Sequence, residues 1–270
     1  MFTVHRITTL DLPELAPYRT LKRAAEHKAQ GIFVAEGDKV VHRLLASPRT
    51  VISVLLPAHR LAEYEPALLA RNEDILVYAV TEKRVLEELV GFEMFQGVLA
   101  VAKIPPAGSL NELISRCRQP RLLVAADGLT SAENIGVLVR NCVAFGAHAL
   151  VVGETSASPF LRRAVRNSMG TIFQLPIVES SGLLSSLTEM RALGIRCIAA
   201  HPHTDQKTLS STDFTRDCCI VFGSEGHGIS PPVLAACDEA VAIPMATDVD
   251  SLNVASAAAV FLYEVSRQRG

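Results

Sequence analysis

The feature that most constrains this chain is a series of short apolar runs in its second half. RLLVAAD (121–127), HALVVG (148–153), IRCIAA (195–200), CCIVFG (218–223) and AVAIP (240–244) are almost free of polar residues, and helical stretches separate them. A strand with one wet face alternates apolar with polar, whereas a strand apolar at nearly every position is covered on both faces. Continuous apolar strands alternating with helices therefore predict an α/β domain built on a parallel sheet. Polar residues collect where these runs end: DGLTSAEN after the first, GSEGHGIS after the fourth and MATDVDSLN after the fifth. Open parallel sheets bind ligands at those carboxyl ends.

At about 150 residues per domain, a chain of 270 residues suits two domains, and the clearest break is Ile104-Pro-Pro-Ala-Gly-Ser109. We divide the chain at 1–105 and 106–270. Before the break, helix-like YRTLKRAAEHKAQG, strand-like IFVA (32–35), helix-like KVVHRLLA, strand-like VISVLL and ILVYAV, a charged helix TEKRVLEELV and strand-like GVLAVAK predict a small α/β domain. It carries 13 basic and 13 acidic side chains. On its first helix, Arg19, Lys22, Arg23 and Lys28 are expected to meet only Glu26. After the break, Thr130 and Glu133 stand at capping-box spacing and Gly146 sits where a helix would stop. That puts Asn134 in the first turn and Arg140 well inside. The last helix, about 254–267, is rich in alanine and apolar on most sides, so it is expected to be buried.

With 26 Lys and Arg against 28 Asp and Glu, the net charge is −2, which excludes a polycationic nucleic-acid coat and a charged disordered chain. The apolar content is 49% and the mean hydropathy +0.27, yet no run of about 18 uncharged apolar residues exists. The N-terminus shows no basic stretch followed by an apolar one. The expectation is a soluble, cytoplasmic protein with no membrane partner. The six cysteines lack any C-x-x-C and mostly sit in apolar runs, the usage of reduced core thiols.

Gly223, Gly226 and Gly228 give G-x-x-G-x-G, a loop able to approach a flat ligand closely. It is not the dinucleotide fingerprint G-x-G-x-x-G, and the hydrolase motif G-x-S-x-G is absent. His201-Pro-His203 has the look of a metal pair, but no carboxylate or cysteine cluster completes it. Ser224-Glu225, Asp248 and Asp250 are interrupted by apolar Val249 and fit poorly with an oxygen cage. No metal is implied. Arg162, Arg163 and Arg166 share one side of a helix with no acid interposed, an arrangement that holds phosphates or makes a solvated face.

Three blocks together resemble the SpoU (TrmH-type) branch of the SPOUT RNA methyltransferases. Asn134-Ile-Gly-Val-Leu-Val-Arg140 is similar to its motif 1, Phe222-Gly-Ser-Glu-Gly-His-Gly-Ile229 to motif 2 and Ile243-Pro-Met-Ala-Thr-Asp-Val-Asp-Ser-Leu-Asn-Val254 to motif 3, in the same order and spacing. The segment Ala164-Val-Arg-Asn-Ser-Met-Gly170 also matches. Gly31-Ile-Phe-Val-Ala-Glu-Gly37 with Phe95-Gln-Gly-Val-Leu-Ala-Val101 resembles the family's N-terminal substrate-binding domain.

The resemblance implies a knotted C-terminal domain (a trefoil, against the general rule that chains do not thread) after a small ribosomal-protein-like α/β/α domain. It implies S-adenosylmethionine as cofactor, a ribose 2′-hydroxyl of structured RNA, ribosomal or transfer, as substrate, and a homodimer. Gly223, Ile243 and Leu252 would hold the cofactor through backbone groups. Arg140 would approach the target hydroxyl, with Asn134, Glu225, Ser251 and Asn253 ordering the pocket. Arg19, Lys22, Arg23 and Lys28, with Arg162, Arg163 and Arg166, are the candidate RNA contacts. Two other readings stand beside this one. A non-catalytic ribosome-assembly factor of the same fold would have no need of Arg140, Glu225, Ser251 and Asn253, and a nucleotide-dependent oxidoreductase would want the missing fingerprint.

Overall fold

The computed structural model describes residues 1–82, 84–85, 97–202, 204, 207–246 and 249–270. Most of the charged helix expected at 81–90, together with Phe95, Gln96, His203 and Asp248, lies outside the described residues. In chain order the strands are β1 (Phe2–Ile7), β2 (Ile32–Glu36), β3 (Val51–Pro57), β4 (Ile75–Val80), β5 (Leu99–Lys103), β6 (Leu122–Ala126), β7 (Ala149–Val152), β8 (Ile177–Glu179), β9 (Arg196–Ala200), β10 (Cys218–Phe222) and β11 (Glu239–Val241). The helices are α1 (Ala16–Arg19), α2 (Ala24–Ala29), α3 (Asp38–Leu45), α4 (Leu61–Leu69), α5 (Leu110–Arg116), α6 (Ala132–Ala144), α7 (Arg162–Asn167), α8 (Leu183–Ala192), α9 (Pro231–Ala236) and α10 (Val254–Arg269). Two compact units result: Met1–Pro106 with Phe160–Phe173, and Ala107–Pro159 with Gln174–Gly270.

The first unit holds a five-stranded sheet in the order β1-β4-β3-β5-β2. β1 and β3 run parallel to β4, while β5 is antiparallel to both β3 and β2. One sheet face packs Leu55, Tyr78 and Val101 against Leu15 and Tyr18, and the Tyr18 hydroxyl finds Ser53 Oγ at 2.8 Å inside that core. Phe33 meets Phe160 and Phe173, with ring centroids 5.5 and 5.8 Å apart, which seats the 160–173 segment on β2.

Two expectations for this unit change. The helix expected over YRTLKRAAEHKAQG is broken into α1 and α2: past the cap at Thr20 the chain turns, closed by Arg23 N donating to Thr20 O at 2.8 Å, and Thr20 Oγ1 bonds Ala16 O at 2.9 Å and lies 3.0 Å from His27 Nε2. Arg19, Lys22, Arg23 and Lys28 are all exposed, but they do not share one helix. Arg19 also approaches Asp11, at 3.8 Å, while Arg23 pairs with Glu26 at 3.1 Å. The arginine cluster does have an acid interposed, from a distant part of the sequence. Glu36 on β2, only 7% exposed, accepts from both Arg162 and Arg166, the latter at 2.7 Å.

The second unit is a six-stranded sheet, parallel throughout, in the order β11-β9-β10-β6-β7-β8. Leu123, Ala125, Cys197, Ala199, Cys219 and Val221 turn to one face and pack on α5, α8 and α9. Their neighbours in each strand turn to the other, where Ile135, Leu138 and Val139 of α6 and Phe261, Leu262 and Val265 of α10 are buried. This is the two-sided burial that the unbroken apolar runs require. α10 departs from the expectation of full burial: Val260 is 39% and Tyr263 57% exposed, because its small alanines let one side pack closely while the other stays open. All six cysteines are free thiols, and burial pushes Cys218 up to about 11 and Cys237 up to about 12, which keeps both protonated and unreactive. Among the described residues no helix is long and apolar enough to cross a membrane.

A buried carboxylate stripped from two guanidiniums leaves uncompensated charge, but Arg166 is 61% exposed and can rehydrate. We therefore expect Glu36→Ala to lower stability by about 2–3 kcal/mol, less than the loss of a fully enclosed pair, read as a shift of the urea midpoint at unchanged slope.

Candidate active site

At the carboxyl ends of β9, β10 and β11 lies a cleft of about 300 Å³. Its walls come from Ala200–Pro202, the loop Phe222–Gly228, Ile243 and Met245, Ser251 and Leu252, and the first turns of α10. The size is at the small end of sites that take organic ligands. Every wall belongs to the second unit.

The glycine loop is folded back on itself. Ser224 N donates to Gly228 O at 2.9 Å and Gly228 N to Ser224 O at 3.0 Å, and the Ser224 hydroxyl accepts from His227 N at 3.1 Å. At Gly223 a Cβ would fall inside the backbone of Gly228 and Ile229, so only glycine allows this closure. Gly228 has φ +66. The far end of the loop is tied down by Asp127, a buried carboxylate at the end of β6 that accepts from Ser230 N at 2.7 Å. Bare backbone therefore faces the cleft along one side.

Across it, apolar Val241, Ile243, Leu252, Val254 and Phe261 supply a surface suited to a planar heterocycle. A glycine loop beside an apolar wall is a surface that fits a nucleoside-bearing cofactor, and Gly223, Ile243 and Leu252 all line it.

The polar residues of the three motifs meet through one amide. Asn134 Nδ2 donates to Glu225 Oε1, while Asn134 Oδ1 accepts from Asn253 Nδ2 at 3.3 Å. Each partner is fixed by its own element. Asn134 sits in the first turn of α6, whose cap is Ser131 and not Thr130: Ser131 Oγ accepts from Asn134 N at 3.2 Å, so the helix starts one residue later than the capping-box spacing suggests. Asn253 caps α10, its Oδ1 accepting from Ala255 N at 2.9 Å. α6 and α10 are joined by Asn141 Nδ2, which donates to Ala255 O at 2.7 Å.

Of the residues expected from sequence, Gly223, Glu225, Ile243, Ser251 and Leu252 line the cleft, and Asn134 and Asn253 are bonded at its edge. Arg140 is not brought into it. It lies six residues beyond Asn134 on α6, roughly 9 Å along the axis, exposed and without an ion-pair partner among the described residues. Arg19, Lys22, Arg23, Lys28, Arg162, Arg163 and Arg166 all belong to the first unit. Sequence reasoning missed Met245, His227 and Phe261 as cleft residues and Asp127 as the anchor of the glycine loop. His201, weighed only as half of a metal pair, is a cleft wall. The available signal was position at a strand end.

A parallel α/β sheet with a glycine-lined cleft at its carboxyl ends defines a nucleotide-cofactor-binding class of fold. Residues 121–263 match the model of the SpoU rRNA methylase family. An uncharacterized tRNA/rRNA methyltransferase of Mycobacterium bovis is 32% identical over 95% of this chain and 90% of its own length. The SpoU methyltransferase AviRb from Streptomyces viridochromogenes, solved in complex with AdoMet, superposes with a TM-score of 0.83 at 29% identity over 96% of this chain and 98% of that one. An AdoMet-bound rRNA methyltransferase from Sinorhizobium meliloti, 22% identical, shares the fold with a TM-score of 0.84 over 98% of each chain. The chain belongs to the SpoU rRNA methylase family.

Gly223→Ala is expected to cost about 2–3 kcal/mol, because the added methyl meets backbone that cannot step aside. Gly226→Ala, where the same atom meets nothing within 4 Å, should stay within about 0.5 kcal/mol of wild type. Paired urea denaturation curves of the two variants test this contrast.

Proposed function

We propose that this RNA methyltransferase transfers the methyl group of S-adenosylmethionine to a ribose 2′-hydroxyl in structured ribosomal or transfer RNA. The observation that carries the reading is the meeting of all three motif blocks at the rim of one cleft, joined through Asn134, Glu225 and Asn253. The bound cofactor supplies an electrophilic methyl on a sulfonium, which leaves a neutral thioether behind. Such a reaction needs an oxygen aligned with the methyl carbon more than it needs a metal. Gly223, Ile243 and Leu252 hold the cofactor, and the Asn134 amide fixes Glu225 and Asn253 at the rim. Ser251, exposed beside them, offers a hydroxyl that accepts or relays a hydrogen bond.

Arg140 carries the electrostatic role. A guanidinium has five N–H donors and no acceptor, so it stabilises the developing alkoxide and clamps the neighbouring phosphate, while the hydroxyl's proton leaves to solvent water. Its position outside the cleft of its own chain, with Val260 and Tyr263 of α10 exposed, supports a homodimer in which the site is completed between copies. The trefoil knot belongs to the same reading, supported by three separate loops crowding one cleft. Arg19, Lys22, Arg23 and Lys28, exposed on the first unit, are proposed as RNA contacts. The work of such a chain is cytoplasmic.

S-adenosylhomocysteine at about a hundredfold over its Kd should raise stability by roughly 2.7 kcal/mol without added metal, seen as a higher Tm; an unmoved Tm at saturation removes the cofactor assignment. Nuclease digestion of RNA treated with the protein and labelled S-adenosylmethionine should then release 2′-O-methylated nucleotides. Label only on bases rejects the ribose target, and no label at all favours the assembly factor.

Arg140→Ala should reduce kcat on the order of 10²–10³-fold while the cofactor Kd moves little, since an oxyanion stabiliser acts mainly in the transition state. Single-turnover methyl transfer alongside calorimetric titration of S-adenosylhomocysteine separates the two effects.

A further inference from the structure

α3 presents Lys39 and Arg43 four residues apart, so they stand on one helical face about a turn from each other, while Val40, Val41, Leu44 and Leu45 face the core. Both cations are exposed, and neither has an acidic partner among the described residues. The adjacent acid, Asp38, is taken by Arg60 at 2.6 Å and by the Tyr64 hydroxyl.

Arg43 does something more specific. Its Nη1 donates to Met169 O at 2.6 Å, and its stem lies against Gly170, where a Cβ would sit 3.0 Å from Arg43 Cβ. Met169 has φ +54, an uncommon conformation for a side-chain-bearing residue and one that persists only when its surroundings hold it. Arg43 is one of the groups holding it. Met169 N in turn donates to Arg166 O at 3.0 Å, so Arg166 belongs to the same corner of the first unit.

The acid in this corner, Glu36, is buried and already shared by two guanidiniums. Arg162 is mostly covered, at 20%, whereas Arg166 keeps 61% of its side chain in water. Of these four cations, Arg162 and Arg166 are paired with Glu36, and Lys39, Arg43 and Arg166 are exposed.

We propose that Lys39, Arg43 and Arg166 form one phosphate-binding surface on the first unit that grips the backbone of the substrate RNA. The proposal rests on the reading that the substrate is RNA, and it moves Arg162 from RNA contact to internal anchor. A guanidinium tied by one N–H to a neutral carbonyl keeps its full charge and its remaining donors in a fixed direction, an arrangement matched to phosphate oxygens. Three exposed cations spread over two elements suit successive phosphates of a polymer, not one small anion. Glu36 acts as the positioning residue, aiming Arg166 without cancelling the patch.

The test measures filter binding of total ribosomal RNA, extracted from cells lacking this protein, between 50 and 200 mM KCl. The double variant Lys39→Gln/Arg43→Gln should weaken binding at 150 mM about tenfold and make the slope of log K against log salt shallower by about 1.4, at ~0.7 per lost contact. Lys39→Gln alone, a residue whose side chain makes no hydrogen bond to the described residues, should give about half that slope change and guards against a folding defect at Met169. Arg116→Gln/Arg118→Gln, the same charge change on the second unit, should leave the slope as in wild type.

Unchanged binding by the Lys39 and Arg43 variants overturns the surface, as does an equal loss in the Arg116/Arg118 control or a wild-type chain whose binding does not respond to salt. Methyl transfer to the same RNA is scored separately. A wild-type chain that binds through these residues yet transfers no methyl defeats the transferase reading and leaves the surface standing.

Discussion

The constraint on which the second unit depends is that its strands are apolar on both faces. In a parallel sheet buried between helices, every backbone N–H and C=O is satisfied within the sheet or at its edges, and no polar side chain fits between the layers without a partner. β6 and β10, side by side at the centre, carry Leu122–Ala126 and Cys218–Phe222 with every residue buried. Polar chemistry is thereby driven to the strand ends. Asp127 is the first residue past β6 able to reach another loop, and it spends its carboxylate on Ser230 N. The glycine loop is consequently fixed at both ends, by the Ser224–Gly228 bonds and by Asp127, before any ligand arrives.

α10 carries that rigidity to the third motif. Its N-terminus is capped by Asn253 and its C-terminus is held by Arg269, whose guanidinium donates to the carbonyls of Pro120, Arg121, Phe214 and Arg216 at 2.6–3.0 Å. A cation collecting carbonyls at a helix C-terminus also opposes the negative end of the helix dipole. Phe222 and Phe261 meet edge to face, 5.8 Å between centroids, so the strand that leads into the glycine loop and the helix that begins with Asn253 share one packing contact. A shift of α10 would be felt at the cleft from both sides.

What the sequence reveals and what it hides follow from the range of the forces involved. The strands β6, β7, β9 and β10 are legible because burial on both faces leaves an unbroken apolar run. β8, only Ile177–Glu179 with a half-buried first residue, leaves no such run, and it is recognisable only by its pairing with β7. The three motif blocks are legible as a set, yet the hydrogen bonds that join them span 91 and 119 residues. The same distance hides Glu36 from Arg162 and Arg166, 126 and 130 residues away, so local spacing alone describes that cluster as free of acids. The first helix shows the opposite failure: its composition is good for one continuous helix, yet the chain turns after Thr20, where Arg23 N donates to Thr20 O.

Among the described residues, Asn134 is the side chain on which the three motifs converge, and its chemistry explains why an amide stands there. The position must donate to a carboxylate, Glu225, and accept from an amide, Asn253, at the same time. A neutral amide carries both capacities in a rigid planar group. Aspartate would accept from Asn253 but set a second negative charge against Glu225, and serine has too short a reach to touch both. The backbone N–H of Asn134 is already committed to Ser131, so the side chain is presented from a capped first turn whose geometry does not drift. A cleft that works by alignment needs its polar groups held before substrate binds, since each rotor ordered only on binding subtracts from the affinity or the rate. The amide at Asn134, carried on one capped helix and bonded to the closed glycine loop and to the cap residue of the other helix, removes that cost from all three motif segments at once.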